Sequence, residues 1–318
     1  MKKTFKYSLS TSLRLDKYLK DKLPNLSRTN IQKMIDNNLV LVDDFPVKSS
    51  FKLKSNQIIQ INSQDFKDKK DSLKPQKMNL NIIYEDNHIL VINKDSGIVV
   101  HPGIGNKEFT LLNGVLDYCE NLSMMNNDRP GVIHRLDKDT SGVIVFAKNN
   151  ESHYFISEQF ANRKINKEYK AITWGNLNQE KEIEGFLRRD PKNRLKFKLF
   201  NNNGKKSVSL VKPITLYSIP LSFVTIFPLT GRTHQIRVHL NYIGVPIIGD
   251  FVYKKNINKD YLPIEIQENI EKNFIIPKRQ ALHAKSIGFI HPYKKKEMFF
   301  ESEEPREFRG LISLMNEK

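Results

Sequence analysis

One short run of the chain, His134-Arg135-Leu136-Asp137-Lys138-Asp139-Thr140-Ser141-Gly142, sets a carboxylate among cations and hydroxyls. A carboxylate so placed can add to the anomeric carbon of a sugar or to an electron-poor base, if a neighbouring cation keeps it ionised and the backbone holds it still. Leu136 is apolar, which predicts a turn or strand end that buries Leu136 and projects Asp137 into a cleft. Thr140, Ser141 and Gly142 then allow a tight turn before the apolar run 143–146. Taken alone, an aspartate in a polar loop is more often part of a solvated network, and Asp139 between Lys138 and Thr140 reads that way.

The elements that must position this run fall into two groups. In the first sixty or so residues, Leu15, Leu19 and Leu23 recur at helical spacing from Arg14 onward. Pro24 and Asn25 break that helix, and Ser27 is placed to cap a second one that carries Ile31 and Ile35 inward. Leu39-Val40-Leu41-Val42 predicts a strand, Asp43-Asp44 a turn, and Gln57-Ile58-Ile59-Gln60-Ile61 a later strand. Residues 62–78 hold few large apolar side chains and predict a tether. Beyond it, strand-like runs dominate, at 82–84, 89–92, 97–100, 143–146, 223–226 and 298–300, with helical stretches such as 153–160. The alternation of Gln235-Ile236-Arg237-Val238-His239 also predicts a strand, with His234 and His239 on opposite faces, which disfavours a shared metal. Residues 254–276 predict a surface excursion with a short helix. The economical fold class is α+β: a mixed, largely antiparallel sheet in residues 79–318, preceded by a small α/β module in residues 1–61 and the 62–78 linker.

Lys+Arg 52 against Asp+Glu 35 gives a net charge of +17, enough to attract a polyanion with salt-dependent affinity. Nucleic acid is the first partner to consider, although abundant lysine is also a compositional habit of some proteomes. No apolar run approaches a membrane span, and the opening basic residues lack a following signal-type stretch, so the expected location is the cytoplasm with no membrane partner. The single cysteine, Cys119, excludes an internal disulfide and a multi-cysteine zinc site. No phosphate loop, paired cysteine ligands or dinucleotide fingerprint is present, since Gly103-Ile104-Gly105 is followed by Asn106-Lys107-Glu108. The expectation is therefore no cofactor and no metal, and a monomer by default.

The longer string Gly131-Val132-Ile133 through Gly142 resembles the signature of RNA pseudouridine synthases of the RluA type. The resemblance extends over residues 82–300. Its upstream part is Tyr84-Glu85-Asp86 and Gly97-Ile98-Val99-Val100-His101-Pro102-Gly103, and its middle part Lys167-Glu168-Tyr169 with Gly175. The late part is Thr230-Gly231-Arg232-Thr233-His234-Gln235-Ile236-Arg237-Val238-His239, Gly249-Asp250 and Gln280-Ala281-Leu282-His283-Ala284 with His291-Pro292. One departure is Lys94-Asp95, where that family usually has Lys-Pro; it loses a rigid φ and no catalytic group. The first module, with Arg14-Leu15-Asp16-Lys17-Tyr18-Leu19 and Ser27-Arg28-Thr29, resembles the S4 RNA-binding domain.

These resemblances imply roles. Asp137 would be the nucleophile, and Arg237, preferred over Arg232 only by the family pattern, its ion-pair partner. Tyr169 would pack against the uracil and assist loss of the proton from the carbon that gains the new bond. Arg135 would fill the stack or meet phosphates when the uridine is extruded, with Lys138 and Arg232 as further RNA contacts, and Arg14, Arg28 and Lys33 would lie along RNA backbone. The pairing of an S4-like module with His101-Pro102-Gly103, Asp128-Arg129-Pro130-Gly131 and 134–142 resembles family members that act on the ribosomal large subunit, implying 23S ribosomal RNA or a large-subunit precursor as partner. Two rivals stay open: a ribosome-assembly factor that only binds RNA, and a base glycosylase that hydrolyses.

Overall fold

The computed structural model describes residues 2–9, 11–23, 26, 28–62, 73–103, 105–193, 195–253 and 259–317, in two compact units, 1–72 and 73–318. Ser27 lies outside the described residues.

The first unit runs β1 (Lys2–Lys6), α1 (Leu15–Lys22), α2 (Arg28–Asp36), β2 (Val40–Val42), β3 (Phe45–Pro46) and β4 (Ile58–Asn62), with sheet order β1-β4-β2-β3. The helical spacing works as expected: Leu15, Leu19, Ile31 and Ile35 are buried against Val40, Val42, Ile59 and Ile61. Asp43 and Asp44 both take positive φ, 49° and 67°, and turn the chain between β2 and β3. Asp16 is fully buried, and burial alone would raise its pKa. Hydrogen bonds from Arg14 and Arg28 reverse that and hold it well below the carboxylate range.

The second unit contains β5 (Asn81–Glu85), β6 (Ile89–Lys94), α3 (Leu111–Tyr118), β7 (Ser141–Ala147), α4 (Asn150–Ala161), β8 (Asn166–Trp174), β9 (Lys181–Arg189), β10 (Phe197–Phe200), β11 (Lys205–Thr215) and β12 (Leu221–Pro228). It continues with α5 (Gln235–Tyr242), α6 (Ile264–Ile270), a π-helical turn Glu271–Ile275, β13 (Leu282–Ile290), β14 (Glu297–Glu301) and α7 (Arg306–Asn316). The strands form one mixed sheet, β10-β9-β11-β12-β8-β13-β7-β6-β5, with β14 beside β13. Every pairing is antiparallel except β13 with β7. Thus β13 is the strand that joins the part built from β5–β7 to the part built from β8–β12.

Both faces of the central strands are covered. On β7, Val143 and Val145 face one apolar cluster with Ile156 of α4, while Ile144 and Phe146 face another with Leu111, Leu112 and Val115 of α3. That double burial explains the unbroken apolar run of this strand. Gly142 is required there: at φ 113°, a Cβ would sit 2.2 Å from the Ala284 carbonyl oxygen on β13.

Four expectations are corrected. Residues 97–100 form no strand; they are a loop tied to the Asp137 turn. Residues 235–242 are helical, because Gln235, Arg237 and His239 are buried and individually bonded, so their alternation with apolar residues does not mark an exposed face. Within 254–276, Ile266, Ile270 and Phe274 are buried in the main core with Phe308 and Leu311, so the described part of this segment is core-forming. The second unit begins at Leu73, ahead of the expected end of the tether: the Lys74 carbonyl accepts from Asn113 Nδ2 and Gln76 N–H donates to the Asn113 carbonyl.

Candidate active site

Register aligns the site. Ala284 on β13 lies beside Tyr169 of β8 on one side and Gly142 of β7 on the other. Tyr169 and the start of β7 therefore stand two strand spacings apart, roughly 10 Å. Asp137 occupies the turn entering β7. Leu136 is buried, 4 % exposed, and the Asp137 side chain is 20 % exposed, so the predicted inward leucine and outward aspartate are both found.

The turn is clamped at several points. Thr140 N–H donates to the Asp137 carbonyl, Gly97 N–H and Lys94 Nζ both donate to the Lys138 carbonyl at 3.0 Å, and Ser96 Oγ donates to the Asp139 carbonyl. Below it, Gln280 Nε2 donates to Thr140 Oγ1, and Ser141 Oγ meets His283 Nδ1 at 3.0 Å. Lys94 is wholly buried and also donates to the Asp95 and Ile98 carbonyls. Burial lowers its pKa to about 7, against the opposing pull of Asp139, Asp95 and Asp137.

Arg237, in the first turn of α5, reaches the aspartate from the other side. Its NH1 donates to Asp137 Oδ2 at 3.0 Å, while Nε and NH2 bind both oxygens of Asp250 at 2.7 and 2.8 Å. Such a fork fixes the guanidinium plane. Asp250 is buried in turn, and its Oδ1 accepts from the Val252 and Tyr253 N–H groups. The preceding Gly249 packs against the chain at 274–279: at φ 74°, a Cβ would lie on the Arg279 carbonyl oxygen. The Arg237 guanidinium also stands 5.3 Å from the Tyr253 ring centre. His234 caps α5 in the left-handed region, with Nδ1 3.0 Å from Tyr253 Oη and Nε2 3.9 Å from Asp137 Oδ2. The loop before α5 is held by Gln235, whose Oε1 accepts from Thr230 Oγ1 and Arg232 N–H and whose Nε2 donates to the Val208 carbonyl and Ser209 Oγ.

Asp137, Tyr169 and Arg237 line a single cleft of about 490 Å³ together with Arg135, Arg232 and His234. Apolar walls come from Leu136, Ile133, Ile236 and Leu282. Burial first, then the Asp137 charge, pushes the Tyr169 phenol far above its usual value, so the ring is neutral at rest. His134 packs against Phe160 with ring centres 5.0 Å apart and accepts from Val145 N–H through Nε2. Burial takes its pKa to about 3, which keeps it neutral.

The other predicted residues divide. Arg135 and Arg232 are exposed on the cleft, and Arg232 Nε is tethered to the Lys206 carbonyl. Lys138 is exposed on the Asp137 turn, without lining the cleft. Arg14 and Arg28 both hold Asp16, leaving their other faces exposed, and Lys33 is exposed on α2. His239, buried and placed by its Nε2 contact to Ser207 Oγ, has its pKa lowered by burial to about 4 and belongs to the core. Sequence reading assigned no role to Asp250, Tyr253, Lys94 or Gln280. Asp250, Gln280 and Lys94 carried a signal only as members of the family-like strings Gly249-Asp250, Gln280–Ala284 and Lys94-Asp95, and Tyr253 carried none.

The sequence profile of the family described as RNA pseudouridylate synthase matches residues 88–242, and that of the S4 domain matches 13–59. The ribosomal large subunit pseudouridine synthase D of Zymomonas mobilis is 34% identical over 314 residues, covering 95% of this chain and 93% of that one. An uncharacterized RNA pseudouridine synthase of Aquifex aeolicus is 38% identical, covering 96% and 94%. Among solved structures, human RNA pseudouridylate synthase domain containing 4 shares the fold, with TM-score 0.57 and 23% identity over 74% of this chain and 93% of that one.

Proposed function

Since the chain belongs to the RNA pseudouridylate synthase family and is an RNA pseudouridine synthase, we propose that it isomerises specific uridines of 23S ribosomal RNA with Asp137 as nucleophile. The observation that carries this reading is Asp137 Oδ2, open to the cleft and bound at 3.0 Å by an Arg237 that Asp250 holds rigid. A carboxylate bound by a guanidinium that is itself fixed keeps its position relative to the cleft. The name of the Zymomonas mobilis relative supports the large-subunit substrate, and the S4 domain and the surplus of 17 positive charges support binding to an extended RNA.

A uridine in a stem must be extruded before its glycosidic bond is reachable, at a cost of a few kcal/mol that backbone contacts offset. Arg135, the exposed cation beside Asp137 that lines the cleft, occupies the vacated stack in this reading. Asp137 then stabilises or bonds the sugar carbon as the N1–C1′ bond breaks. The uracil turns and C5 bonds C1′ while any Asp137 Oδ–C1′ bond breaks and returns the carboxylate; the C5 proton leaves and N1 gains a proton, so the mass is unchanged. Tyr169 acts first as a neutral wall for the base. If Asp137 is esterified to the nucleoside, it loses the charge that helps raise the Tyr169 pKa, so the phenol becomes more acidic at the stage when a proton must move.

The test uses 23S transcript with the wild-type chain and Asp137→Asn. Wild type should create sites that resist alkali after carbodiimide treatment, with no free uracil and no change in RNA mass. Asp137→Asn should bind RNA and convert nothing. Conversion by Asp137→Asn refutes the role, released uracil points to a glycosylase, and binding without either product points to an assembly factor.

A further inference from the structure

Lys167 stands two residues before Tyr169 on β8, so the two side chains share a strand face, about 7 Å apart along the strand. Its side chain lines the same cleft as Asp137, partly buried, with the ammonium next to Thr230 and Gly231. The ammonium makes one long hydrogen bond, 3.4 Å to the Thr230 carbonyl, which leaves donors unused. Among the described residues, no carboxylate lies within 4.0 Å of it: Glu168 points to the other face of β8 and is paired with Lys170. Burial, the sole cause acting on it, lowers its pKa to about 8. A half-buried cation with no anion on the protein side is costly as a structural device, because a neutral side chain of the same length would fill the space without that cost. It becomes favourable when an anion arrives from solution, and a nucleotide delivering its base to Tyr169 brings its own phosphate to the cleft wall beside it.

We propose that Lys167 is the phosphate clamp of the target nucleotide, binding one of the two phosphodiesters that flank the extruded uridine and so holding the sugar over Asp137. The assignment rests on the RNA substrate proposed above. Arg163 also lines the cleft but is exposed, and it is not part of the clamp.

The experiment takes a synthetic stem–loop around a uridine mapped in the 23S transcript, with a neutral methylphosphonate at each linkage in turn. Wild type, Lys167→Gln and Lys167→Arg are compared for RNA dissociation constant and single-turnover rate. Loss of one charge-assisted hydrogen bond to phosphate predicts roughly tenfold or more weaker binding for Lys167→Gln, and a slope of log affinity against log salt shallower by about 0.7–0.9. Lys167→Arg should recover most of both. The deciding readout is coupling: one flanking methylphosphonate should weaken wild type by a similar factor and leave Lys167→Gln unchanged. If both proteins lose equally at every linkage, or if Lys167→Gln binds within twofold of wild type, the clamp is refuted. Conversion of the unmodified stem–loop by wild type separates the two readings, since its absence overturns the substrate assignment itself, whereas conversion with no coupling overturns the clamp alone.

Discussion

Replacing Asp250 by asparagine tests whether Arg237 is held in place by the buried carboxylate behind it. The carboxylate is 1 % exposed and takes two of the three hydrogen bonds by which Arg237 is fixed. Removing one partner of a buried ion pair costs about 3–5 kcal/mol. Here Asp137 still compensates part of the charge, and the asparagine oxygen can still accept from Val252 and Tyr253, so the lower end, about 3 kcal/mol, is expected. In a unit of this size, each kcal/mol moves Tm by about 2–4 °C, which gives a fall of about 6–12 °C by calorimetry. The freed guanidinium no longer presents NH1 to Asp137 in one geometry, and misplacement of that order costs about a hundredfold in rate. Single-turnover isomerisation should therefore drop about a hundredfold at saturating RNA, with the dissociation constant within about threefold of wild type. A Tm within 1 °C of wild type, or a loss that lies wholly in RNA affinity, would refute the reasoning.

Three further outcomes are expected. Gly142→Ala forces a Cβ to 2.2 Å from the Ala284 oxygen at a positive φ, so the β7–β13 seam should open and Tm fall by more than 6 °C; an unchanged melting curve contradicts the close approach. Lys94 is depressed from 10.5 to about 7, so between those pH values the unfolded chain binds more protons than the folded one and stability should rise with pH. That slope approaches 1.4 kcal/mol per pH unit for one proton and should flatten in Lys94→Met, read from urea midpoints at pH 7 and 9. Asp16 has a depressed pKa, so its contribution is present above the unfolded value near 4 and is lost as pH falls through the folded one. Asp16→Asn should destabilise the first unit by about 2–3 kcal/mol at pH 7 and make its acid unfolding less steep, followed by circular dichroism.

Legibility in the sequence followed how local each cause is. The Asp137 turn could be read because Leu136 and the 143–146 run lie next to it and declare which side faces inward. The helices of the first unit were equally local, their apolar residues recurring every four positions. Arg237 was correctly paired with Asp137 only through family resemblance, since local pattern placed it on a strand. That pattern misled because it assumes buried means apolar, whereas Gln235, Arg237 and His239 are buried polar groups whose partners, Ser209, Asp250 and Ser207, are distant in sequence. Asp250 and Lys94 share that property: their value lies in what they bind across the fold, and no spacing rule reports it. Residues 97–100 looked like a strand by composition, yet their hydrogen bonds are spread over the Asp137 turn at Gly97, the Lys94 ammonium at Ile98 and the start of α3 at Val99 and Val100.

The parallel seam between β7 and β13 has a consequence for synthesis. Asp137, Tyr169, Arg237 and Asp250 are all made before Leu282 emerges, but the two parts that carry them share no strand pairing until β13 enters between β7 and β8. Contacts that span some 140 residues close slowly and late. A ribosome still translating this chain thus displays Asp137, Tyr169 and Arg237 without the strand that brings them to one cleft, and the last long strand to be made is the key that locks the halves together.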